Sequence, residues 1–139
     1  MGKYLDVDFI LTFSDKESAE KYMFSDVVAK EHAGKKLDGV NIICETDGVI
    51  DIHAYTDDCF PHTAFKAFVE SVKPFGAKTV ACKCEDPGAG IFGRFNWDGE
   101  EMYSQFVDKD TLKRLDGDED FDFHALEEIL DAAPKVAIT

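Results

Sequence analysis

The chain has 139 residues, with 29 acidic against 15 basic side chains and a net charge of −14. That length suits one domain able to bury most of the surface its unfolded chain exposes, and 45% apolar residues is too many for a disordered chain. The charge repels phosphate backbones and anionic lipid, and no apolar run approaches the roughly 20 residues that span a bilayer, so no direct nucleic-acid or membrane binding is expected.

The first element is a half-buried strand. Leu5, Val7, Phe9, Leu11 and Phe13 alternate with Tyr4, Asp6, Asp8 and Thr12, a period of two. Ile10 breaks the polar face and is a candidate contact. The two aspartates also interrupt the N-terminal apolar stretch, as no signal or transit peptide does. Ser14 and Glu17 have the spacing of a capping box and predict a helix carrying Ala19, Tyr22, Met23 and Val27 on one face, stopped at Gly34. Asp47-Gly48 then separates VNIICET from VIDIHAYT and predicts a type I′ hairpin pairing Thr46 with Val49, Glu45 with Ile50, Cys44 with Asp51, Ile43 with Ile52 and Ile42 with His53. Neither of its faces is cleanly polar, which fits a hairpin inside a sheet or one with a face awaiting a partner.

Residues 61–75 predict a second helix with Phe65, Phe68, Val69 and Val72 on its apolar side, ended by Pro74 and Gly76. A strand AKTVACKC follows, with Val80, Cys82 and Cys84 on one face. Beyond EDPGAG, Asp98-Gly99 predicts a second two-residue hairpin turn. Counting outward pairs Trp97 with Glu100, Phe95 with Met102, Gly93 with Ser104 and Ile91 with Phe106 on an apolar face. On a solvent-side face it pairs Arg94 with Tyr103 and Asn96 with Glu101. The tail holds a short helical turn near TLKRL, an acidic loop DGDEDFD, and a helix with Phe123, Leu126, Ile129, Leu130 and Ala133 at helical spacing, stopped by Pro134.

The order β-α-β-β-α-β predicts an α+β fold, the split βαβ ferredoxin-like plait, over residues 1–86. Residues 87–139, the hairpin, acidic loop and C-terminal helix, would extend the sheet or cover its other face within a single domain. The run Glu85-Asp86-Pro87-Gly88-Ala89-Gly90-Ile91-Phe92-Gly93, placed after this pattern, resembles the loop and strand of the YubB-type ferredoxin-like domain of plasmid and phage proteins. That resemblance implies a mobile-element protein and carries over no catalytic residue.

Several groups invite a chemical role. Cys82 and Cys84 share one strand face about 7 Å apart at the usual rise, which suits core thiols better than two ligands of one tetrahedral metal. Cys59 and His62 open the second helix and form a half-site that His53 or Cys44 would have to complete. As a nucleophile–base pair they lack an oxyanion-hole motif. Counting Asp116 as the first position puts Asp118, Asp120, Asp122, His124 and Glu127 at the other ligand positions of a calcium-binding EF-hand loop, but Phe121 stands where the sharp turn needs glycine. Gly88, Gly90 and Gly93 open a hairpin rather than a helix, unlike a phosphate-binding loop. Four cysteines in a chain rich in Phe, Val and Ile do not form a disulfide framework pattern, and a reduced cytoplasmic setting is expected. No catalytic set, cofactor or metal is expected.

Charge placement is the strongest functional signal. Between Asp98 and Asp131 there are 13 acids against Lys109, Lys113 and Arg114, a net −10. Like charge so concentrated stores repulsion that a basic partner relieves, and it steers encounter with that partner. Trp97, Tyr103, Phe121 and Phe123 lie among these acids as candidate aromatic anchors. The expected function is therefore a small, non-enzymatic acidic binding protein: an inhibitor, immunity or anti-defence factor engaging a basic protein surface, such as a nuclease or nucleic-acid-binding protein. The expected contacts are Asp98, Glu100, Glu101, Tyr103, Asp116, Asp118, Glu119, Asp120 and Asp122. The alternative is a small-ligand or metal-binding module using Cys59, His62 and His53 or the Asp116–Glu127 loop. The hairpin at 40–56 and Ile10 would be covered by the C-terminal elements or by a second copy in a homodimer.

Overall fold

The structure, a computed structural model, describes residues 5–25, 38–56, 62–86, 91–108, 110–111 and 123–138. The chain order is β1 (Leu5–Phe13), α1 (Lys16–Met23), β2 (Asp38–Thr46), β3 (Val49–Thr56), α2 (His62–Val72), a 3₁₀ turn (Lys73–Phe75), β4 (Ala77–Asp86), β5 (Ile91–Trp97), β6 (Met102–Phe106), α3 (Phe123–Ala132) and β7 (Val136–Ala137). Among the described residues, seven strands form one antiparallel sheet in the order β2-β3-β1-β4-β5-β6-β7. The first four occupy the positions of a ferredoxin-like plait, and the C-terminal strands extend it from the β4 edge. The hairpin β5-β6 lengthens the sheet while α3 covers part of its reverse face, so both expected uses of the C-terminal segment occur together.

Period-two alternation decides which side each strand residue takes. Val7, Phe9, Leu11 and Phe13 of β1, Ile50, Ile52 and Ala54 of β3, and Val80, Cys82 and Cys84 of β4 are all buried in one core. Ala64, Phe65, Phe68, Val69 and Val72 of α2 close that core, with Ala19 and Tyr22 from α1. Phe9 stacks on Phe68 at 4.2 Å between ring centroids, and Phe65 on Phe95 at 5.3 Å.

Helix α1 ends at Met23 with Phe24 as its cap, short of the expected stop, and Val27 and Gly34 lie outside the described residues; three further local signals needed correction. Helix α1 is capped by Asp15 rather than Ser14: the Asp15 carboxylate accepts from the Ser18 N–H at 2.7 Å. The first hairpin turns as expected, with positive φ at both Asp47 and Gly48. Gly48 also lies against the α1 cap, where an added Cβ would come within 3.3 Å of the Asp15 carbonyl. Its pairing follows the predicted register only to Cys44 and Asp51. A bulge between Ile42 and Cys44 then sets Ile42 opposite Ile52 and Asn41 opposite His53. In the second hairpin the loop is Asp98–Glu101, with Trp97 opposite Met102, Phe95 opposite Ser104, Gly93 opposite Phe106 and Arg94 opposite Gln105. Each partner is displaced by two residues, so every side chain keeps its predicted face. Gly93 is required there because the Phe106 ring lies over it, 2.1 Å from where a Cβ would stand.

The reverse face is no solvent side. Helix α3 lies across β4, β5 and β6 there, and Leu130 joins Phe92 and Val107 in a second, smaller core. Gln105 is buried among them; its Oε1 accepts from Arg94 Nε at 2.9 Å and its Nε2 donates to the Ala133 carbonyl at 2.8 Å. One side chain thereby ties the sheet to the C-terminal end of α3, where helix carbonyls lack partners. Short β7, which pairs with β6 through Ser104 and Tyr103, was not expected from the sequence.

Candidate functional site

Asp98 opens the loop between β5 and β6, and its carboxylate turns back into it. Oδ1 accepts from the backbone N–H of Glu101 at 2.8 Å and of Glu100 at 2.9 Å, while the Asp98 N–H donates to the Glu101 carbonyl at 3.1 Å. Those bonds, Glu101 first, hold the Asp98 carboxyl below its ordinary value. Asp98 is therefore the residue that shapes the tip.

The tip thus built places Glu100 and Glu101 on the surface, next to Tyr103. These three expected contacts line one open groove of about 460 Å³ together with Met102, Ala137 and Ile138. The Ile138 N–H donates to the Met102 carbonyl at 2.9 Å, which fixes the segment that forms the far wall. Lys135 enters from the turn before β7, its Nζ 4.7 Å from the Tyr103 ring centroid. Among the described residues, neither Glu100 nor Glu101 makes an ion pair. The groove therefore combines apolar surface with two carboxylates outside any ion pair and one cation, Lys135, held over the Tyr103 ring.

Other expected residues fall elsewhere. Trp97 is 7% exposed and belongs to the main core, so it is no surface anchor. Asp116, Asp118, Glu119, Asp120, Asp122, Phe121, Cys59, Gly88 and Gly90 lie outside the described residues, as do the side chains of Cys44, Phe123 and His124. Cys82 and Cys84 are free, buried thiols; burial above all, with the neighbouring Cys84, pushes the Cys82 thiol well above its ordinary pKa and keeps it protonated. His62 is exposed at the start of α2, whereas His53 sits on the reverse face with Nδ1 2.5 Å from Asp8 Oδ1 and Nε2 3.9 Å from Asp6 Oδ1. Among the described residues, no three His, Cys, Asp or Glu side chains gather as a metal ion requires.

A second depression was not foreseen from the sequence. Where α3 ends its coverage of the reverse face, Ile10, Ala81 and Leu130 floor a cleft of about 240 Å³ rimmed by Asp8, Asn96 and Glu127. Two cations edge it, each already engaged. Lys83 binds Glu127 and, at 3.0 Å, Glu85, while Arg94 Nη2 lies 2.7 Å from Asp131. Burial lowers the Lys83 pKa, and the Glu127 and Glu85 carboxylates more than reverse that, leaving it above the ordinary lysine value. The one available sequence signal was Ile10, an apolar residue on a polar strand face.

Comparison with family models, with curated proteins and with solved structures finds no match to this chain.

Proposed function

We propose that the protein is a small, non-enzymatic binding module that engages a basic protein surface through the groove at the end of its second hairpin. The observation that carries this reading is the grouping of Glu100, Glu101 and Tyr103 around one groove, with both glutamates unpaired among the described residues. An interface needs an apolar centre for affinity and complementary charge for steering, and the groove has both. At about 460 Å³ it is large enough to receive several side chains of a partner. The overall charge of −14 adds long-range attraction for a cationic target and repels nucleic acid. A partner that itself binds nucleic acid fits this chemistry, with carboxylates standing in for phosphates. In that setting the protein acts in the cytoplasm as an inhibitor, immunity or anti-defence factor, and the resemblance to the YubB-type domain favours a mobile element as its source.

Affinity capture from the native cell, repeated over a salt series with the wild-type chain and the Glu100→Lys/Glu101→Lys double variant, tests this. A basic protein is expected to be retained by the wild type at low salt, to be released as salt rises, and to be lost from the variant. Retention indifferent to both salt and charge reversal would refute it.

A further inference from the structure

We infer that the cleft beside Ile10 on the reverse face of the sheet seats one large aliphatic side chain of a basic partner, whose flanking lysines or arginines lie along the carboxylates of β1 and β3. The inference rests on the proposed function for the partner's charge, and it adds a second contact surface and the sequence chemistry that fits it.

The cleft follows from how the reverse face is divided. Helix α3 covers β4, β5 and β6, and the same face of β1 and β3 continues beyond it without α3. At that boundary stands Ile10, an isoleucine 49% exposed, opposite Ala81 in β4 and Asp51 in β3. Leu130, which is buried, supplies the opposite wall from α3. About 240 Å³ is below the roughly 300 Å³ at which small-molecule pockets begin, so the space fits a single side chain better than a cofactor. Apolar surface of this kind beside a polar rim is how interface anchors are received.

Charge selects what flanks the anchor. Strand pairing places Asp6, Asp8 and Asp51 on the same face as Ile10, because directly opposed residues in an antiparallel sheet share a side. With Glu85, Glu127 and Asp131, the described residues of the neighbourhood hold six carboxylates against the cations Lys83 and Arg94 and the imidazole of His53. Both cations are tied to carboxylates, so the described residues around the cleft carry a net negative charge. An apolar anchor flanked by acidic residues would be repelled; one flanked by basic residues is drawn in.

The test uses two acetylated heptapeptides, KKKLKKK and KKKAKKK, titrated at low ionic strength into the isotope-labelled full chain and followed by amide chemical shifts. The leucine peptide is expected to bind at least about tenfold tighter than the alanine peptide, since its three extra carbons add that much attraction even when only partly buried. Its shifts should concentrate at Ile10, Ala81, Asn96 and Leu130. Ala81→Leu, which fills the cleft, should bring the affinity of the leucine peptide down to that of KKKAKKK, and Ile10→Lys should weaken both peptides while the melting temperature stays within a few degrees. Equal binding of the two peptides with shifts confined to residues 98–103 would overturn the cleft and leave the hairpin groove standing. A leucine advantage that survives Ala81→Leu would overturn it too. Failure of both peptides to bind would overturn the cleft and the proposed function together.

Discussion

Beneath α1 and α2, the sheet presents Val7, Phe9, Leu11, Ile50, Ile52 and Val80, none more than 1% exposed, to a continuous apolar layer. Among the described residues, the buried cluster on the reverse face is Phe92, Val107 and Leu130, and polar bonds through Gln105, Arg94 and Lys83 do much of the joining. Beyond α3 the described residues of that face include Asp6, Asp8, Asp51, His53 and the half-exposed Ile10. The difference teaches where specificity can reside. A core closed by two helices fixes the fold and offers a partner little, whereas a face held by a few polar links retains charge and apolar surface in contact with solvent.

The contrast can be broken most forcefully from the helix side. Phe9→Ala removes a ring stacked on Phe68 in the main core and should lower stability by about 3–5 kcal/mol in denaturant unfolding, with the whole chain unfolding as one unit. Gln105→Ala leaves the Ala133 carbonyl and the Arg94 Nε without their bonds and should lower stability by about 1–3 kcal/mol. Hydrogen exchange should show that loss first in residues 123–132, with the amides of β1 and β3 still protected. If the Gln105 variant loosens both faces equally, they are not separable.

Smaller effects come from the charges. The raised folded-state pKa of Lys83 means that its stabilisation is complete below the ordinary lysine value of 10.5 and fades as pH rises through the folded value. The stability difference between wild type and Lys83→Met should therefore be constant at neutral pH and shrink in alkali. Asp98 works in the opposite sense. Its carboxyl is held below 3.8, so its contribution is present above that pH and disappears as pH falls through the lower, folded value. Asp98→Asn, which can still accept the Glu100 and Glu101 bonds, should remove this acid-side component from a pH series of melting temperatures and leave the hairpin intact.

Much of the main core was legible because a strand's side-chain period is two. Alternation alone placed Val7, Phe9 and Leu11 inside, and Phe65, Phe68, Val69 and Val72 shared one helical face. What escaped depends on contacts distant in sequence or on backbone irregularity. Counting from Asp47-Gly48 assumes an unbroken ladder and cannot see the bulge at Ile43. The second hairpin was two residues out of register yet kept its faces, because a shift of two preserves the pleat. Ser14 and Asp15 are both cap formers, and the box motif favoured the wrong one. The burial of Gln105 has no local signal, because the helix that covers it arrives later in the chain. The candidate groove was legible in Glu100, Glu101 and Tyr103, but its far wall, Ala137 and Ile138, follows Pro134 without any periodic signal.

Zero-length cross-linking of the chain to its captured basic partner identifies the binding faces, because it joins lysines only to carboxylates they already touch. Cross-links are expected from Glu100 and Glu101, and from Asp6 and Asp51 on the reverse face. Cross-links confined to the exposed acids of the helical layer, Glu17, Glu20 and Glu70, would contradict that expectation.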